Sequence, residues 1–118
     1  MTATTPDHLL PLTPAVFHIL LALMDKERHG YGIMKDVEQQ TEGEMMLRPG
    51  TLYQAIKRML ELGLIEETDD RPDPALDDER RRYYRVSGLG RKVAKAEVER
   101  LHKLLRLARN KQVTAFGA

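Results

Sequence analysis

One short segment carries the side chains best suited to recognition chemistry. It spans residues 48–67 and reads RPGTLYQAIKRMLELGLIEE. Its apolar residues recur every three or four positions, which predicts a helix with one buried face. The opposite face carries an aromatic ring, an amide and two cations: Tyr53, Gln54, Lys57 and Arg58. Such groups reach phosphates and base edges in the major groove of DNA, but the same composition also suits a helix face that simply lies in solvent.

Charge is strongly segregated along the chain, although the net charge is only +1. Residues 66–79 carry eight Asp or Glu against one Arg, and residues 80–92 carry six Lys or Arg and no acid. Local polarity of this kind indicates a polyanionic partner, whereas the overall charge balance does not. A basic helix surface that is only solvated would show the same segregation.

Several other kinds of site lack the residues that they need. The chain has no cysteine, which excludes disulfides, zinc–thiolate sites and cysteine nucleophiles. His18 has no second histidine at metal-ligand spacing, so we expect a hydrogen-bonded or partly exposed side chain there. No strand is predicted before Gly30 and Gly32 and no Lys-Ser or Lys-Thr pair follows, so they do not form a phosphate loop. Without a nucleophile–base pair or a set of metal ligands, we expect neither an enzyme nor a bound cofactor.

The chain of 118 residues shows no internal repeat and suits one domain with a modest core. Its longest apolar run, residues 19–24, is far shorter than the roughly 20 residues that cross a membrane. The N-terminus lacks the basic region and apolar core of a signal peptide. We therefore expect a cytoplasmic protein with no membrane partner.

Two helices are predicted before the helix within residues 48–67, which we call the recognition helix. Thr13 and Pro14 form a favourable N-cap and first-turn pair for a buried first helix that runs to Met24. A polar turn at 25–29 then leads to a second helix at 31–40. Residues 45–47 either form a short extended segment or fill the core, and their pattern does not decide between the two.

Two strands are predicted after the recognition helix, at 64–68 and 81–86, with a long loop between them. Pro72 and Pro74 prevent regular pairing inside this loop. The result is a hairpin that follows three helices, with a last helix capped by Ser87. The chain thus divides into four parts: a flexible arm at 1–11, a domain at 12–86, a helix at 87–110 and a flexible tail at 111–118.

The last helix carries a heptad seam formed by five residues: Ala94, Val98, Leu101, Leu105 and Ala108. This apolar row could pack back onto its own domain or onto a second copy of the chain. A helix of about 22 residues is roughly 33 Å long, which is more than so small a domain covers comfortably. The length therefore favours a dimer.

Five short motifs occur in the order of the predicted elements: LTPAVFHILLAL at 12–23, HGYGIM at 29–34, PGTLY at 49–53, GLI at 63–65 and RRYY at 81–84. Together they resemble the PadR family of bacterial transcriptional regulators over about residues 12–92. The resemblance implies a winged helix-turn-helix domain and a homodimer joined through the last helix, as in the compact branch of the family. It also implies repression that a small aromatic or drug-like effector relieves in some members. By the same resemblance, five residues lie on the DNA-reading helix: Thr51, Tyr53, Gln54, Lys57 and Arg58.

The predicted wing departs from the family pattern. Its tip carries six acids where a phosphate-contacting wing would be basic: Asp69, Asp70, Asp73, Asp77, Asp78 and Glu79. We expect phosphate to repel this tip. Arg80 and Arg82 alternate onto one strand face, where they either reach the DNA backbone or pair with the tip acids. The chain has no tryptophan, so an effector site built on an indole is not carried over.

The predicted fold is mostly α with a small β-hairpin: a winged helix-turn-helix domain of three helices and a two-stranded wing, plus a C-terminal dimerisation helix. The predicted function is that of a homodimeric, sequence-specific DNA-binding repressor that binds a roughly palindromic operator through its third helix. The alternative is a winged-helix module whose Tyr53 and Lys57 face meets another protein. Steep salt dependence of binding to duplex DNA would separate the two.

Overall fold

The computed structural model describes residues 9–68 and 82–113. These residues form four α-helices: α1 Pro14–Ala22, α2 Gly30–Gln40, α3 Pro49–Leu62 and α4 Gly88–Asn110. They also form three strands: β1 Arg28–His29, β2 Ile65–Thr68 and β3 Tyr83–Val86. The mostly helical, winged-helix class predicted from the sequence is confirmed. The acidic tip, Arg80 and the chain ends at 1–8 and 114–118 lie outside the described residues.

Helix α1 begins where its capping residues place it. The Thr13 side-chain oxygen accepts a hydrogen bond from the Val16 N–H at 3.2 Å, and Pro14 is the first helical residue. This cap satisfies one backbone donor at the helix start, and a proline there removes no intrahelical hydrogen bond. The helix ends at Ala22, short of the predicted Met24, in a tighter turn of i to i−3 hydrogen bonds.

The short strand β1 lies where the sequence predicted only a polar turn. Arg28 pairs with Tyr84 and His29 pairs with Tyr83, so the sheet has three antiparallel strands in the order β1-β3-β2. A strand therefore does precede Gly30, and the predicted two-stranded wing gains a third strand. Local periodicity missed β1 because its hydrogen-bond partners come from a strand far away in the sequence.

Arg28 links β1 to α1 and α2 through its side chain. Its Nε donates to the Ala22 carbonyl at 2.7 Å, and its Nη2 lies 3.2 Å from Asp25 and 3.3 Å from Asp36. The mostly buried guanidinium thus has both a carbonyl and two carboxylates as acceptors, which compensates its removal from water. The turn between α1 and α2 is consequently well anchored.

Helix α2 begins at Gly30, one residue before its predicted start. The preceding His29 caps it, because His29 Nδ1 accepts a hydrogen bond from the Gly32 N–H at 3.0 Å. Residues 45–47, after the helix, form neither strand nor helix. Met45 and Leu47 pack partly buried against the core, whereas Met46 between them is 67% exposed.

Helix α3 turns one face to the core, as its spacing predicted. The inward side chains on this face are completely or almost completely buried: Leu52, Ile56 and Met59. The helix begins at Pro49, because proline suits the first helical position. It ends at Gly63, whose φ of 78° is left-handed and therefore favours glycine.

The core lies between α1, α2, α3, the sheet and the first half of α4. Its largest fully buried side chains come from all of these elements or the turns that join them: Ile19, Leu20, Leu23, Ile33, Val37, Leu52, Met59, Leu64, Ile65 and Val93. Leu9 and Leu10, which belong to the predicted N-terminal arm, lie partly buried against this core. Within residues 9–68 and 82–113, no helix is long and apolar enough to cross a membrane.

The start of α4 is fixed to the end of α3. The Ser87 hydroxyl donates a hydrogen bond to the Gly63 carbonyl and accepts one from the Gly90 N–H at 3.0 Å. A Cβ atom at Gly90 would collide with the Leu64 carbonyl oxygen, so this close approach requires glycine. The predicted Ser87 cap is therefore confirmed, and the third helix, the wing and the last helix meet at one place.

Candidate nucleic-acid interface

The polar face predicted on the recognition helix is a continuous exposed surface of α3. Each of its five residues is exposed: Thr51, Tyr53, Gln54, Lys57 and Arg58. They lie opposite the buried face of the helix, so the amide of Gln54 and the cations of Lys57 and Arg58 are directed away from the core. Arg58 lies 3.8 Å from Glu61 in an exposed pair. A surface pair of this kind contributes little and leaves the guanidinium accessible to a partner.

Tyr53 is held more closely than the rest of this face. The residue is 50% exposed, and its ring lies against Gly30, the first residue of α2. A Cβ atom at Gly30 would meet three atoms of the Tyr53 ring system, Oη, Cζ and Cε1. Tyr53 therefore packs on α2 with the hydroxyl end of its ring, while half of the residue's surface stays exposed.

The described arginines of the wing are paired with acids of the neighbouring strand. Arg82 lies 3.1 Å from Glu67, and Arg85 lies 3.1 Å from Glu66. Glu66 and Arg85 are direct partners in the β2–β3 ladder, where opposite charges stabilise a sheet. Arg82 keeps an exposed side chain but has its charge balanced locally. The other predicted contact of this group, Arg80, lies outside the described residues.

Tyr84 is a buried tyrosine of the wing strand β3. Burial raises the pKa of its phenol, with further contributions in the same direction from Glu67 and then Tyr53. Arg82 acts on this pKa in the opposite direction. The phenol is therefore neutral at physiological pH.

The beginning of α2 adds side chains that sequence reasoning missed. Tyr31 is 54% exposed, and Lys35 Nζ lies 5.9 Å from the centroid of its ring. His29 stacks on Tyr31 with ring centroids 6.4 Å apart and meets Tyr83 edge-on at 5.2 Å. The first helix of a helix-turn-helix crosses the DNA backbone. The four-residue spacing of Tyr31 and Lys35 was a signal that could have identified this pair.

The predicted heptad seam of α4 is covered at its first residue and exposed along most of the remaining length. Ala94 is only 6% exposed and belongs to the core of its own chain. The rest of the seam and the leucines beside it form an apolar row on the protein surface, with exposures between 39% and 52%: Val98, Leu101, Leu104, Leu105 and Leu107. Ala108, at the end of the seam, is half-buried.

Glu97 lies where the covered half of α4 ends. Its carboxylate accepts hydrogen bonds from Arg100 at 2.7 and 2.9 Å, although Glu97 itself is only 2% exposed. The hydrogen bonds from Arg100 lower the pKa of Glu97 against the opposing effect of burial, and the Leu12 backbone N–H also lowers it. The ionised carboxylate of Glu97 thus links Leu12, in the segment before α1, to α4.

A cleft of about 400 Å³ lies between α1 and α2, with His18, Leu21, Asp36 and Gln40 among its lining residues. His18 is half-buried beside it. The part of the chain that the structure describes contains no group of three or more His, Cys, Asp or Glu side chains placed to hold a metal ion. Both polar and apolar side chains line the cleft.

A three-stranded sheet, a helix-turn-helix and an exposed polar third helix define a winged helix-turn-helix protein. The sequence model described as "Transcriptional regulator PadR-like family" matches residues 19–96. Because this match covers most of the chain, the protein belongs to the PadR-like family of transcriptional regulators. The resemblance carried by the five sequence motifs is thereby confirmed.

Two solved structures and one curated protein are similar to this chain. A transcriptional regulator from Clostridium thermocellum is 28% identical, with a TM-score of 0.68 over 85% of this chain and 90% of that one. A PadR family transcription regulator from Clostridium difficile shares the fold, at 23% identity and a TM-score of 0.69 over 83% and 97% of the two chains. An uncharacterised protein X of Lysinibacillus sphaericus is 29% identical over 73 residues, which span 62% of this chain and 64% of that protein. The matched region is thus just under two thirds of the length of this curated relative.

Proposed function

We propose that this protein is a homodimeric, sequence-specific DNA-binding repressor that reads its operator through α3. The observation that carries the proposal is the exposed polar face of α3 in a winged-helix domain of a transcriptional-regulator family. The five residues of this face are the proposed DNA contacts: Thr51, Tyr53, Gln54, Lys57 and Arg58.

The side chains of this face suit two kinds of DNA contact, to base edges and to phosphates. Gln54 can bond both the donor and the acceptor that adenine presents in the major groove. Lys57 and Arg58 can reach phosphates or guanine, and the hydroxyl of Thr51 can bond a phosphate oxygen near the start of the helix. The base-reading and the backbone-positioning contacts would then lie on the same helix.

The wing has a smaller role in this proposal. Arg82 and its neighbour Arg85 are already balanced by Glu67 and Glu66, so moving them to phosphate means giving up an existing partner. Arg80 and Arg82 remain proposed backbone contacts, but they add less than the α3 cations do. The acidic tip is proposed to stay away from the DNA because phosphate repels it.

A second copy of the chain is the proposed partner of the exposed row on α4. Leucines and a valine on one side of a helix lose contact with water when a matching row covers them, which favours a two-fold dimer. A two-fold dimer presents two recognition helices, so its operator would be roughly palindromic with half-sites about one helical turn apart. Ala94 is already covered by its own chain, so the proposed interface rests on Val98, Leu101, Leu105 and Ala108.

Two further parts of the proposal rest on the family resemblance. A small aromatic or drug-like molecule is the proposed effector that releases the operator. A regulator of this kind would act in the bacterial cytoplasm, where the chromosome lies.

A titration against duplex DNA tests the proposal. The fluorescently labelled DNA upstream of the protein's own gene is compared with an unrelated duplex of equal length, each at 50 and 200 mM salt. We expect tighter binding to the upstream duplex and weaker binding to both duplexes at the higher salt concentration, because phosphate contacts release counterions. Equal, salt-independent or absent binding would instead favour a winged-helix module that meets another protein.

A further inference from the structure

Gly30 is buried, and its backbone conformation does not require a glycine. The described glycines with a positive φ are Gly43 and Gly63, so the conformation of Gly30 is open to other residues. Tyr53, on the other helix of the helix-turn-helix, restricts which side chain fits at this position. The nearest atoms to a Cβ at Gly30 are Oη, Cζ and Cε1 of Tyr53.

This contact joins the elements that form the proposed DNA-binding face. Gly30 begins α2 directly after β1, and β1 pairs with the wing strand β3 through Tyr83 and Tyr84. Tyr53 belongs to α3. The Tyr53 ring of α3 therefore packs directly on the backbone of Gly30, in the space that a side chain would otherwise fill.

We propose that Gly30 is a positioning residue for DNA recognition, because the space left by its missing side chain seats the Tyr53 ring and so fixes the direction of the Tyr53 hydroxyl. This inference rests on the proposed function of α3. Gly30 itself makes no contact with DNA in this account. A methyl group at Gly30 would push the ring towards solvent and misplace the hydroxyl relative to the DNA backbone and bases.

The effect on recognition should be separable from an effect on folding. The atoms that a Cβ would meet are at the far end of a half-exposed side chain, which can rotate away without disturbing the core. Alanine also has a higher helix propensity than glycine. Gly30→Ala is therefore expected to fold and to unfold within a few degrees of the wild-type Tm, while the Tyr53 ring leaves its seat.

Gly88 provides a matched control within the same chain. It is the first residue of α4, as Gly30 is of α2, and a Cβ placed there meets nothing within 4 Å. Gly88→Ala makes the same chemical change at the same helix position without displacing a ring. It is expected to leave DNA affinity unchanged.

The first experiment measures, without DNA, whether the Tyr53 ring lies against Gly30. The full chain has four tyrosines, so labelling with 3-fluorotyrosine gives a small fluorine NMR spectrum in which Tyr53→Phe identifies the Tyr53 signal. We expect Gly30→Ala to shift the Tyr53 signal towards that of free fluorotyrosine, and Gly88→Ala to leave it in place. An unmoved Tyr53 signal in folded Gly30→Ala would overturn the proposal.

The second experiment measures recognition with a double-mutant cycle on the upstream duplex. Gly30→Ala and Tyr53→Ala are each expected to weaken binding by roughly tenfold, the size of one lost hydrogen bond to a charged group. In the Tyr53→Ala background, Gly30→Ala is expected to have no further effect, because the ring it displaces is gone. Additive losses would show that Gly30 acts through something other than Tyr53 and would contradict the proposal.

The remaining outcomes are also decisive. If Gly30→Ala fails to fold, the double variant with Tyr53→Ala is expected to fold, and failure of both would show a structural role only. If the wild type binds the duplex and Gly30→Ala binds it equally well, this inference fails while the proposed function stands. A wild-type chain that binds no duplex would contradict the proposed function and, with it, the role of Gly30.

Discussion

Helix α3 and the second half of α4 each leave a row of side chains uncovered, but the two rows differ in chemistry. The α3 row is polar and carries Lys57 and Arg58, whereas the α4 row consists of leucines and a valine. A basic row gains by releasing counterions from a polyanion, and this gain falls as salt rises. An apolar row gains by leaving water, and moderate salt does not weaken that gain. One chain thus presents two surfaces whose interactions should respond differently to salt: binding by the α3 row should weaken as salt rises, and binding by the α4 row should not.

The wing differs from both surfaces because its described charges are already paired within the sheet. Arg82 and Arg85 lie beside Glu67 and Glu66. A balanced surface attracts a polyanion less than a row of cations does. We therefore rank the three surfaces by the expected effect of altering them: α4 first, then α3, then the wing.

The largest effect is expected from Leu101→Glu in the exposed row of α4. A carboxylate placed unpaired in a desolvated interface costs about 3–5 kcal/mol, enough to separate the proposed dimer at micromolar concentration. Sedimentation velocity would show a monomer, and operator affinity would fall by roughly 100-fold or more. Lys103→Glu introduces the same residue on an exposed, polar side of α4 and should remain dimeric. A normal Leu101→Glu dimer would mean that another surface joins the two chains.

A smaller effect is expected from Gln54→Ala on α3. The loss of one amide that reads a base edge should lower operator affinity by about tenfold. It should not change binding to unrelated DNA or the salt slope, because no phosphate contact is removed. Titrations with the operator, with operators changed at single base pairs and with an unrelated duplex measure all three. Gln39→Ala, at an exposed position of α2, is the matched control. A uniform loss on every duplex would assign Gln54 to the backbone instead.

A third prediction concerns Glu97, at the boundary between the two halves of α4. Its pKa is lower in the folded chain than its ordinary value of about 4.5. The stability that its charge contributes is therefore present above pH 4.5 and is lost as the pH falls through the folded pKa. Glu97→Gln should lower the free energy of unfolding by about 1–2 kcal/mol at pH 7, and by less at pH 3. Urea unfolding at both pH values, with exposed Glu99→Gln as the control, would show this. An equal loss at both pH values would contradict a role for the charge.

The smallest effect is expected from the wing pair. Arg82→Ala should weaken DNA binding less than about threefold, because its charge is already balanced and an exposed pair contributes about 0–1 kcal/mol. Glu67→Gln should slightly strengthen binding, because it releases Arg82 to phosphate. Both are read from titrations at low salt. If Arg82→Ala instead weakened binding as strongly as a change on α3, the wing would rank with the recognition helix.

Local signals in the sequence predicted most of the helical framework. Thr13 with Pro14 marks the start of α1, and Ser87 marks the start of α4, each through a hydrogen bond that depends on near neighbours. The buried face of α3 follows from spacing alone. Strand β1 was missed because its two residues are held by β3, and so few residues have no period of their own.

The candidate site was only partly predictable for the same reason. Spacing identified the outward face of α3, but the seat of Tyr53 depends on Gly30, which lies on another helix. The heptad pattern of α4 was recognised, yet periodicity does not reveal what covers an apolar row. The structure shows that its own chain covers Ala94 and leaves Leu101 exposed.

The central claim is that α3 meets DNA phosphate through Lys57 and Arg58. The most direct test is the affinity for the upstream duplex over a series of salt concentrations, for the wild type, Lys57→Ala with Arg58→Ala, and Lys92→Ala with Lys95→Ala. The last variant removes two exposed cations from α4 and has the same net charge as the first. The account predicts a steep wild-type slope of log affinity against log salt. It predicts a slope shallower by about one for each lost phosphate contact in the α3 variant, and a wild-type slope in the α4 variant. A slope that is unchanged in the α3 variant, or reduced equally in both, would contradict it.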